Sequence, residues 1–252
     1  MNRIQSMLLS GLVLAASAVT AAAQTETIKL RAGPDGQSYL TDAAGMTLYY
    51  YTKDAAGESV CYGNCEKAWP VFYAPTVSVS PALQASDFGT VTRTDGSKQT
   101  TYRGWPLYYW QRDTKPGDVT GEGVGKVWYV LKVPAYDVMI ATSDGLGNYL
   151  VDGEGRTLYW YTKDSTGASL CSGNCLKNWP AFTTTSFNVP SGLNPADFSV
   201  ITRDDGTKQA AYKGYPLYYW INDSKRGDTT GQNVGGVWFV IDPAKFPQVA
   251  KG

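Results

Sequence analysis

Aromatic and polar residues alternate in four short segments of the chain, and this pattern predicts β-strands. In the segment that begins at Leu107, residues 107 and 109 lie on one face of a strand, and residues 108 and 110 lie on the other. Tyr and Trp favour strands, and their presence on both faces predicts strands that are covered on both sides. Turn signals such as Asp95-Gly96 separate the segments, and no long 3.6-residue apolar period follows residue 23. The pattern therefore predicts an all-β protein with antiparallel strands.

The four segments belong to a long internal repeat. Tyr39–Val130 aligns with Tyr149–Val240 at a constant offset of 110 residues, and more than half of the aligned positions are identical. Within each half the segment recurs after 59 residues, so each half consists of two related modules. The shared motif is Tyr-x-aromatic-x-x-Asp, and it occurs as Tyr49/Tyr51/Asp54, Tyr108/Trp110/Asp113, Tyr159/Tyr161/Asp164 and Tyr218/Trp220/Asp223.

The repeat predicts tandem duplicated antiparallel β modules in two units. We expect the first unit at residues 24–137 and the second at residues 138–252, each of ordinary domain size. The joining segment from Lys132 to Gly147 is short and partly apolar, so we expect it to form a strand and the units to pack together. A single pseudo-fourfold, propeller-like assembly with one blade per module is the alternative.

Residues 1–23 have the features of a secretory signal peptide. Arg3 supplies the positive start, residues 7–19 form the apolar stretch, and Ala21-Ala22-Ala23 forms a small-residue cleavage site. No cysteine precedes Cys61, so there is no acceptor for an N-terminal lipid. We expect cleavage after Ala23, a periplasmic or extracellular location, no transmembrane segment and no lipid anchor.

Composition excludes several classes of chemistry. The 22 Lys and Arg residues balance the 22 Asp and Glu residues, so the chain lacks the positive field that binds nucleic acid. The chain contains no histidine, which excludes His-dependent catalytic triads and imidazole metal sites. No catalytic constellation is visible, and we expect a protein that is not an enzyme.

The four cysteines form two copies of one loop, Cys-x-Gly-Asn-Cys followed by Trp-Pro. Pairing within each loop, Cys61 with Cys65 and Cys171 with Cys175, follows most simply from the duplication and suits an oxidising compartment. A Cys₄ metal site that joins the units and thiol–disulfide exchange are the alternatives. A short helical turn is expected after the first cysteine pair and again after the second.

The motif aspartates Asp54, Asp113, Asp164 and Asp223 have three interpretations. Each carboxylate can cap a turn by accepting backbone N–H groups, and its fourfold recurrence favours this structural role. Calcium ligation, with help from Asp118 and Asp228, is the second interpretation, although no EF-hand pattern is present. A glycosidase acid–base pair is the third. We expect no cofactor and no metal, with calcium left open.

The aromatic residues also have two interpretations. They can fill the core and reach water through their hydroxyl groups, or they can form an exposed platform for a glycan or a protein. Four residues near predicted turns are the candidates for such an aromatic surface: Trp69, Trp105, Trp179 and Tyr215.

These motifs resemble a bacterial secreted-repeat family, often described as predicted lipoproteins with a Tyr-x-aromatic-x-x-Asp motif. The resemblance rests on that motif, on Cys-x-Gly-Asn-Cys before Trp-Pro, and on Gly-x-Pro-Leu-Tyr, and it covers almost the whole chain after residue 23. It implies export and a repeated β module, and it implies no activity.

The sequence therefore favours an exported, non-catalytic repeat protein of the cell envelope that serves as a binding or structural module. Its expected partner is an envelope protein or a glycan, because repeated surfaces suit multivalent contact. A metal- or redox-associated accessory protein and a carbohydrate-binding or carbohydrate-active protein are the alternatives.

Overall fold

The computed structural model describes residues 26–33 and 35–246. The expected signal peptide and its cleavage site after Ala23 lie outside these residues. The described chain contains short strands, two one-turn α-helices and five 3₁₀ turns. The strands are β1 (Ile28–Ala32), β2 (Ser38–Asp42), β3 (Tyr49–Tyr51), β4 (Phe88–Thr92), β5 (Lys98–Tyr102), β6 (Trp105–Pro106), β7 (Trp128–Val130), β8 (Lys132–Val133), β9 (Val138–Ser143), β10 (Gly147–Asp152), β11 (Tyr159–Tyr161), β12 (Phe198–Thr202), β13 (Lys208–Tyr212), β14 (Tyr215–Pro216) and β15 (Trp238–Val240). The helices are α1 (Asn64–Ala68) and α2 (Asn174–Asn178), and the 3₁₀ turns are Thr52–Asp54, Ala85–Asp87, Val124–Lys126, Pro195–Asp197 and Val234–Gly236.

The strands form small antiparallel sheets, which confirms the all-β prediction. Strands β1, β2 and β8 form one sheet, β4, β5 and β6 another, and β12, β13 and β14 a third. The pairs β3–β7, β9–β10 and β11–β15 complete the set within residues 26–33 and 35–246. The sheets are arranged as repeated modules, and the described strands do not form a propeller.

The four motif segments differ in the extent of their backbone pairing with neighbouring strands. The first and third segments form strands β3 and β11, as predicted. The second and fourth make only isolated bridges at Tyr108 and Tyr218, so the prediction that all four segments form strands was wrong for these two. The physical reason lies in their hydrogen bonds, because Leu107, Tyr108 and Tyr109 donate to three different neighbouring segments instead of one ladder.

The cysteine loops contain the expected helical turns. Helix α1 ends before Trp69, whose backbone N–H donates to the Cys65 carbonyl at 2.8 Å, and α2 ends in the same way before Trp179. A proline follows each Trp and cannot donate a backbone hydrogen bond, which suits the end of a helix.

The two halves pack against each other. The joining segment forms β8 and β9, as expected, and one continuous apolar cluster contains residues from Ile28 to Phe246. Polar contacts cross the junction, including Thr52 Oγ1 to Thr142 Oγ1 at 2.7 Å and Arg226 Nε donating to the Ala55 carbonyl at 2.8 Å. The boundary between residues 137 and 138 stays a prediction.

Candidate functional site: paired motifs and aromatic stacks

The two motifs of the first half bind each other reciprocally. Tyr49 and Tyr108 lie opposite each other in an antiparallel bridge. The Tyr108 hydroxyl donates to Asp54 Oδ2 at 2.5 Å, and the Tyr49 hydroxyl donates to Asp113 Oδ2 at 2.7 Å. Each tyrosine therefore binds the aspartate of the other module. The geometry relates the two modules by a local twofold arrangement.

The second half has the same exchange. The Tyr218 hydroxyl donates to Asp164 Oδ2 at 2.6 Å, and the Tyr159 hydroxyl donates to Asp223 Oδ2 at 2.7 Å. The first tyrosine and the aspartate of each of the four motifs are therefore engaged, in two sets of paired modules.

The second carboxylate oxygen of each motif aspartate holds a loop. Asp54 Oδ1 accepts the backbone N–H of Val60 at 2.9 Å, and Asp164 Oδ1 accepts that of Leu170 at 2.7 Å. Asp113 Oδ1 accepts from both the backbone N–H and the hydroxyl of Thr120, and Asp223 Oδ1 accepts in the same way from Thr230. The aspartates face loops and tyrosines, and none of them lines either of the two clefts of about 490 and 530 Å³.

A buried arginine extends the Asp54 pair to the cysteine loop. Arg93 donates to Ser59 Oγ, to Gln99 Oε1 at 3.0 Å, to the Cys61 carbonyl at 2.9 Å and to Glu66 Oε2 at 2.9 Å. Ser59 Oγ lies 2.8 Å from the Tyr108 hydroxyl. Because Tyr108 donates to Asp54 and Arg93 donates to Ser59, the Ser59 hydroxyl is free to donate to Tyr108.

The second half repeats this network with one change. Arg203 donates to Ser169 Oγ at 2.8 Å, to Gln209 Oε1 and to the Cys171 carbonyl. Leu176 stands where the first half has Glu66. The second guanidinium therefore lacks the counterpart of that carboxylate.

Burial changes the acid–base properties of these pairs. Removal from water raises the pKa of Asp54 to about 7, although its hydrogen bonds from Tyr108 and Val60 act in the opposite direction. Burial also raises the pKa of Asp164. Burial, followed by the neighbouring carboxylate, raises the pKa of Tyr108 and Tyr218 above the ordinary range, so both phenols stay protonated.

Four aromatic rings stack face to face in each half. In the first stack, which consists of Tyr51, Trp128, Trp69 and Trp110 in that order, the ring centroids are 4.1, 3.9 and 4.1 Å apart. In the second stack, which consists of Tyr161, Trp238, Trp179 and Trp220, they are 4.3, 3.9 and 4.2 Å apart. The two inner tryptophans are buried, and the outer rings are partly exposed.

The expected aromatic surface has to be corrected. Trp69 and Trp179 are inner rings of the stacks and are buried, and Trp105 is fully buried. The Trp105 indole N–H donates to the Gly153 carbonyl at 3.3 Å, and the Arg226 guanidinium lies over its ring at 4.8 Å, so Trp105 fills the junction between the halves. Tyr215 is partly exposed and packs edge-on against Trp160 and Phe246. The aromatic-proline turns fold inwards because their rings have aromatic partners in the core.

The cysteines pair within their loops. Disulfides join Cys61 to Cys65 and Cys171 to Cys175, and no free cysteine occurs in the described chain. This pairing supports the simplest interpretation of the duplication and leaves no thiolate in these loops for a metal.

Metal binding by the aspartates finds little support in the described part of the chain. No group of three or more His, Cys, Asp or Glu side chains there is arranged to hold a metal ion. Asp118 and Asp228 instead accept backbone N–H groups of their own turns. A cleft of about 490 Å³ lies between the halves and is lined by residues that include Lys126, Ile140, Asn148, Asn194 and Asp197.

Sequence reasoning missed several residues of these networks. Trp128 lies 59 residues after Trp69, and this spacing could have identified the two as equivalent. Arg93, Ser59 and Gln99 recur at the 110-residue offset, but nothing in that recurrence alone distinguishes a buried arginine from a surface one. The residues missed are Ser59, Arg93, Gln99, Trp128, Ser169, Arg203, Gln209 and Trp238.

No helix in residues 26–33 and 35–246 is both long enough and apolar enough to span a bilayer. Comparison with curated proteins and with solved structures gives no significant match. A family model described as a secreted repeat of unknown function matches residues 30–73, 89–132, 140–183 and 199–242. The four matches have the same spacings as the modules and cover more than half of the chain, which confirms the resemblance. The chain therefore belongs to this family of secreted repeats, known as Lipoprotein_15.

Proposed function

We propose that the protein is an exported, non-catalytic repeat protein of the cell envelope, in which paired modules form a scaffold for binding. One observation carries the proposal: the motif aspartates are used in Tyr–Asp pairs and loop hydrogen bonds, and they do not converge on a cleft. A glycosidase needs two carboxyl groups on either side of one bond. The secreted family and the expected cleavage after Ala23 support the location.

The repeated cysteine loops are the surface that we assign to binding. Val60 and Leu170 precede the first cysteine of their loops, and these residues are 50% and 65% exposed. The motif aspartates fix both residues by accepting their backbone N–H groups. Fixed apolar side chains that occur twice suit bivalent contact with an envelope protein better than contact with a glycan.

Photo-crosslinking in cells that export the protein tests this assignment. A photoreactive amino acid at position 60 or 170 should yield the same adduct with an envelope protein. Ile221 is a matched control, because it is 58% exposed and Gln111 takes its place in the first half. Adducts of equal yield at position 221, or none at positions 60 and 170, contradict the binding surface.

Turnover measurements test the non-catalytic part of the proposal. The purified protein should release no chromophore from a panel of chromogenic glycosides. Release that is abolished by Asp113→Asn would show catalysis by a motif carboxylate and would overturn the proposal.

A further inference from the structure

The stacks and the Tyr–Asp pairs form one connected cluster in each half. In the first stack, neighbouring ring centroids lie 3.9–4.1 Å apart, so their π systems are in van der Waals contact from one end to the other. Trp110 and Tyr51 bring the two ends to the protein surface, where both are partly exposed. The stack therefore connects the surface to the interior by aromatic contact alone.

Tyr108 joins the middle of this stack to a buried carboxylate. Its ring lies edge-on to Trp128 with a centroid distance of 5.1 Å, and its hydroxyl donates to Asp54 Oδ2 at 2.5 Å. A phenol that loses an electron becomes strongly acidic, so its oxidation proceeds readily only where a base can take the proton. Asp54 lies in the position of that base.

Proton acceptors are distributed unequally in the first cluster. The Trp110 indole N–H is buried and has no hydrogen-bond acceptor among the described residues. An oxidised Trp110 therefore has no local base and stays a radical cation that can accept an electron from its neighbour. Burial raises the pKa of Asp54 to about 7, so above that pH it is ionised and is a better proton acceptor than an exposed carboxylate.

We propose that each cluster is a one-electron relay that carries an oxidising equivalent from the surface to Tyr108, or to Tyr218 in the second half. An outer-sphere one-electron oxidant takes an electron from Trp110, and Trp69 and Trp128 successively replace it. Tyr108 then gives an electron to Trp128 and its hydroxyl proton to Asp54 Oδ2. The products are the reduced oxidant, a neutral Tyr108 radical and a protonated Asp54.

The step is reversible with a one-electron donor. The donor returns an electron to Tyr108 through the same rings, and Asp54 returns the proton, so no bond between heavy atoms forms or breaks. The relay needs no partner at the cysteine loops and stands independently of the binding function proposed above.

The chain offers an internal control for the assignment. Tyr109 is partly buried, and its hydroxyl donates to Asp42 Oδ2 at 2.9 Å. Its ring lies edge-on to Phe72 and is not part of the stack. Tyr219 repeats this arrangement with Asp152 and Phe182. These tyrosines donate to a carboxylate but have no contact with a ring of the stack.

Photo-oxidation with a ruthenium(III) polypyridyl complex, followed by electron paramagnetic resonance of the frozen sample, tests the proposal. The folded wild type should give a neutral tyrosyl radical. Tyr108→Phe with Tyr218→Phe should lower its yield, whereas Tyr109→Phe with Tyr219→Phe should leave it unchanged. A wild-type signal no larger than that of the urea-unfolded chain, or equal loss in both double variants, overturns the relay.

A second pair of variants tests whether oxidation starts at the outer ring of the stack. It leaves the buried Tyr–Asp hydrogen bonds unchanged. Trp110→Phe with Trp220→Phe changes only partly exposed outer rings, and circular dichroism reports whether the fold is retained. The tyrosyl radical yield should fall several-fold in this variant and stay at the wild-type level in Trp105→Phe. An unchanged yield in the folded outer-ring variant excludes the stack as the route.

Discussion

Tyr108 and Asp54 belong to different modules, yet the Tyr108 hydroxyl donates to Asp54 Oδ2 at 2.5 Å. The reciprocal bond, from Tyr49 to Asp113, closes the exchange. One module alone would leave both its tyrosine and its aspartate without a partner. The hydrogen bonds of the motif therefore require two modules, which agrees with the even number of modules in the described chain.

The Tyr108–Asp54 pair should show energetic coupling. Tyr108→Phe removes the donor to a buried carboxylate, and we expect a loss of about 1–3 kcal/mol in the free energy of unfolding. A double-mutant cycle with Asp54→Asn, measured by urea denaturation, should give a coupling energy of about 0.5–3 kcal/mol. Tyr109→Phe, which affects a bond to Asp42, should combine additively with Asp54→Asn. Additivity at Tyr108 as well would contradict the pairing.

Stability should depend on pH through Asp54. Its pKa is about 7 in the folded protein and near 3.8 in an exposed carboxyl group. Between about pH 4 and pH 7 the folded protein keeps a proton that the unfolded chain has released, so raising the pH lowers the free energy of unfolding. The slope reaches about 1.4 kcal/mol per pH unit for one such group.

Asp54→Asn should flatten this pH dependence in denaturant titrations. The control is Asp144→Asn, because the Asp144 side chain is almost fully exposed. Equal slopes in the wild type and in Asp54→Asn would show that the carboxyl group does not hold the proton.

Arg93 should be more important for stability than its ion pair with Glu66. Arg93→Met leaves several buried acceptors without a donor, and we expect a loss of about 3–5 kcal/mol. Glu66→Leu copies the second half, where Leu176 stands at this position, and affects a carboxylate that is 38% exposed, so the loss should stay below about 1 kcal/mol. Urea denaturation checks both values, and a larger loss for Glu66→Leu than for Arg93→Met would refute the ranking.

Gly121 should tolerate no side chain. A Cβ atom there would lie 2.8 Å from Trp69 Cη2 and 2.9 Å from Tyr49 Cε1, and the packed stack prevents both rings from moving away. We expect Gly121→Ala to cost about 1–3 kcal/mol. Gly145→Ala is the control, since no atom lies within 4 Å of its added Cβ. Thermal denaturation that gives equal midpoints for both variants would contradict tight packing at the stack.

The sequence predicted the elements better than their partners. Alternation correctly separated Tyr108 and Trp110 from Leu107 and Tyr109, which lie in different apolar clusters. The repeat also predicted the disulfide loops and the packed halves. It could not reveal that Tyr108 binds the aspartate of another module, because strand periodicity specifies a face and not the residue opposite. The burial of Trp69 could not be predicted for a similar reason, because only the folded chain brings Trp128 into contact with the Trp69 ring.

Arg226 makes a contact between the halves that has no counterpart from the first half. Pro116 occupies its position in the first half, so only the second half extends a guanidinium to the Ala55 and Arg103 carbonyls of its neighbour. Two copies of the first half would lack this contact. The two halves are therefore not interchangeable, and the fold depends on their order along the chain.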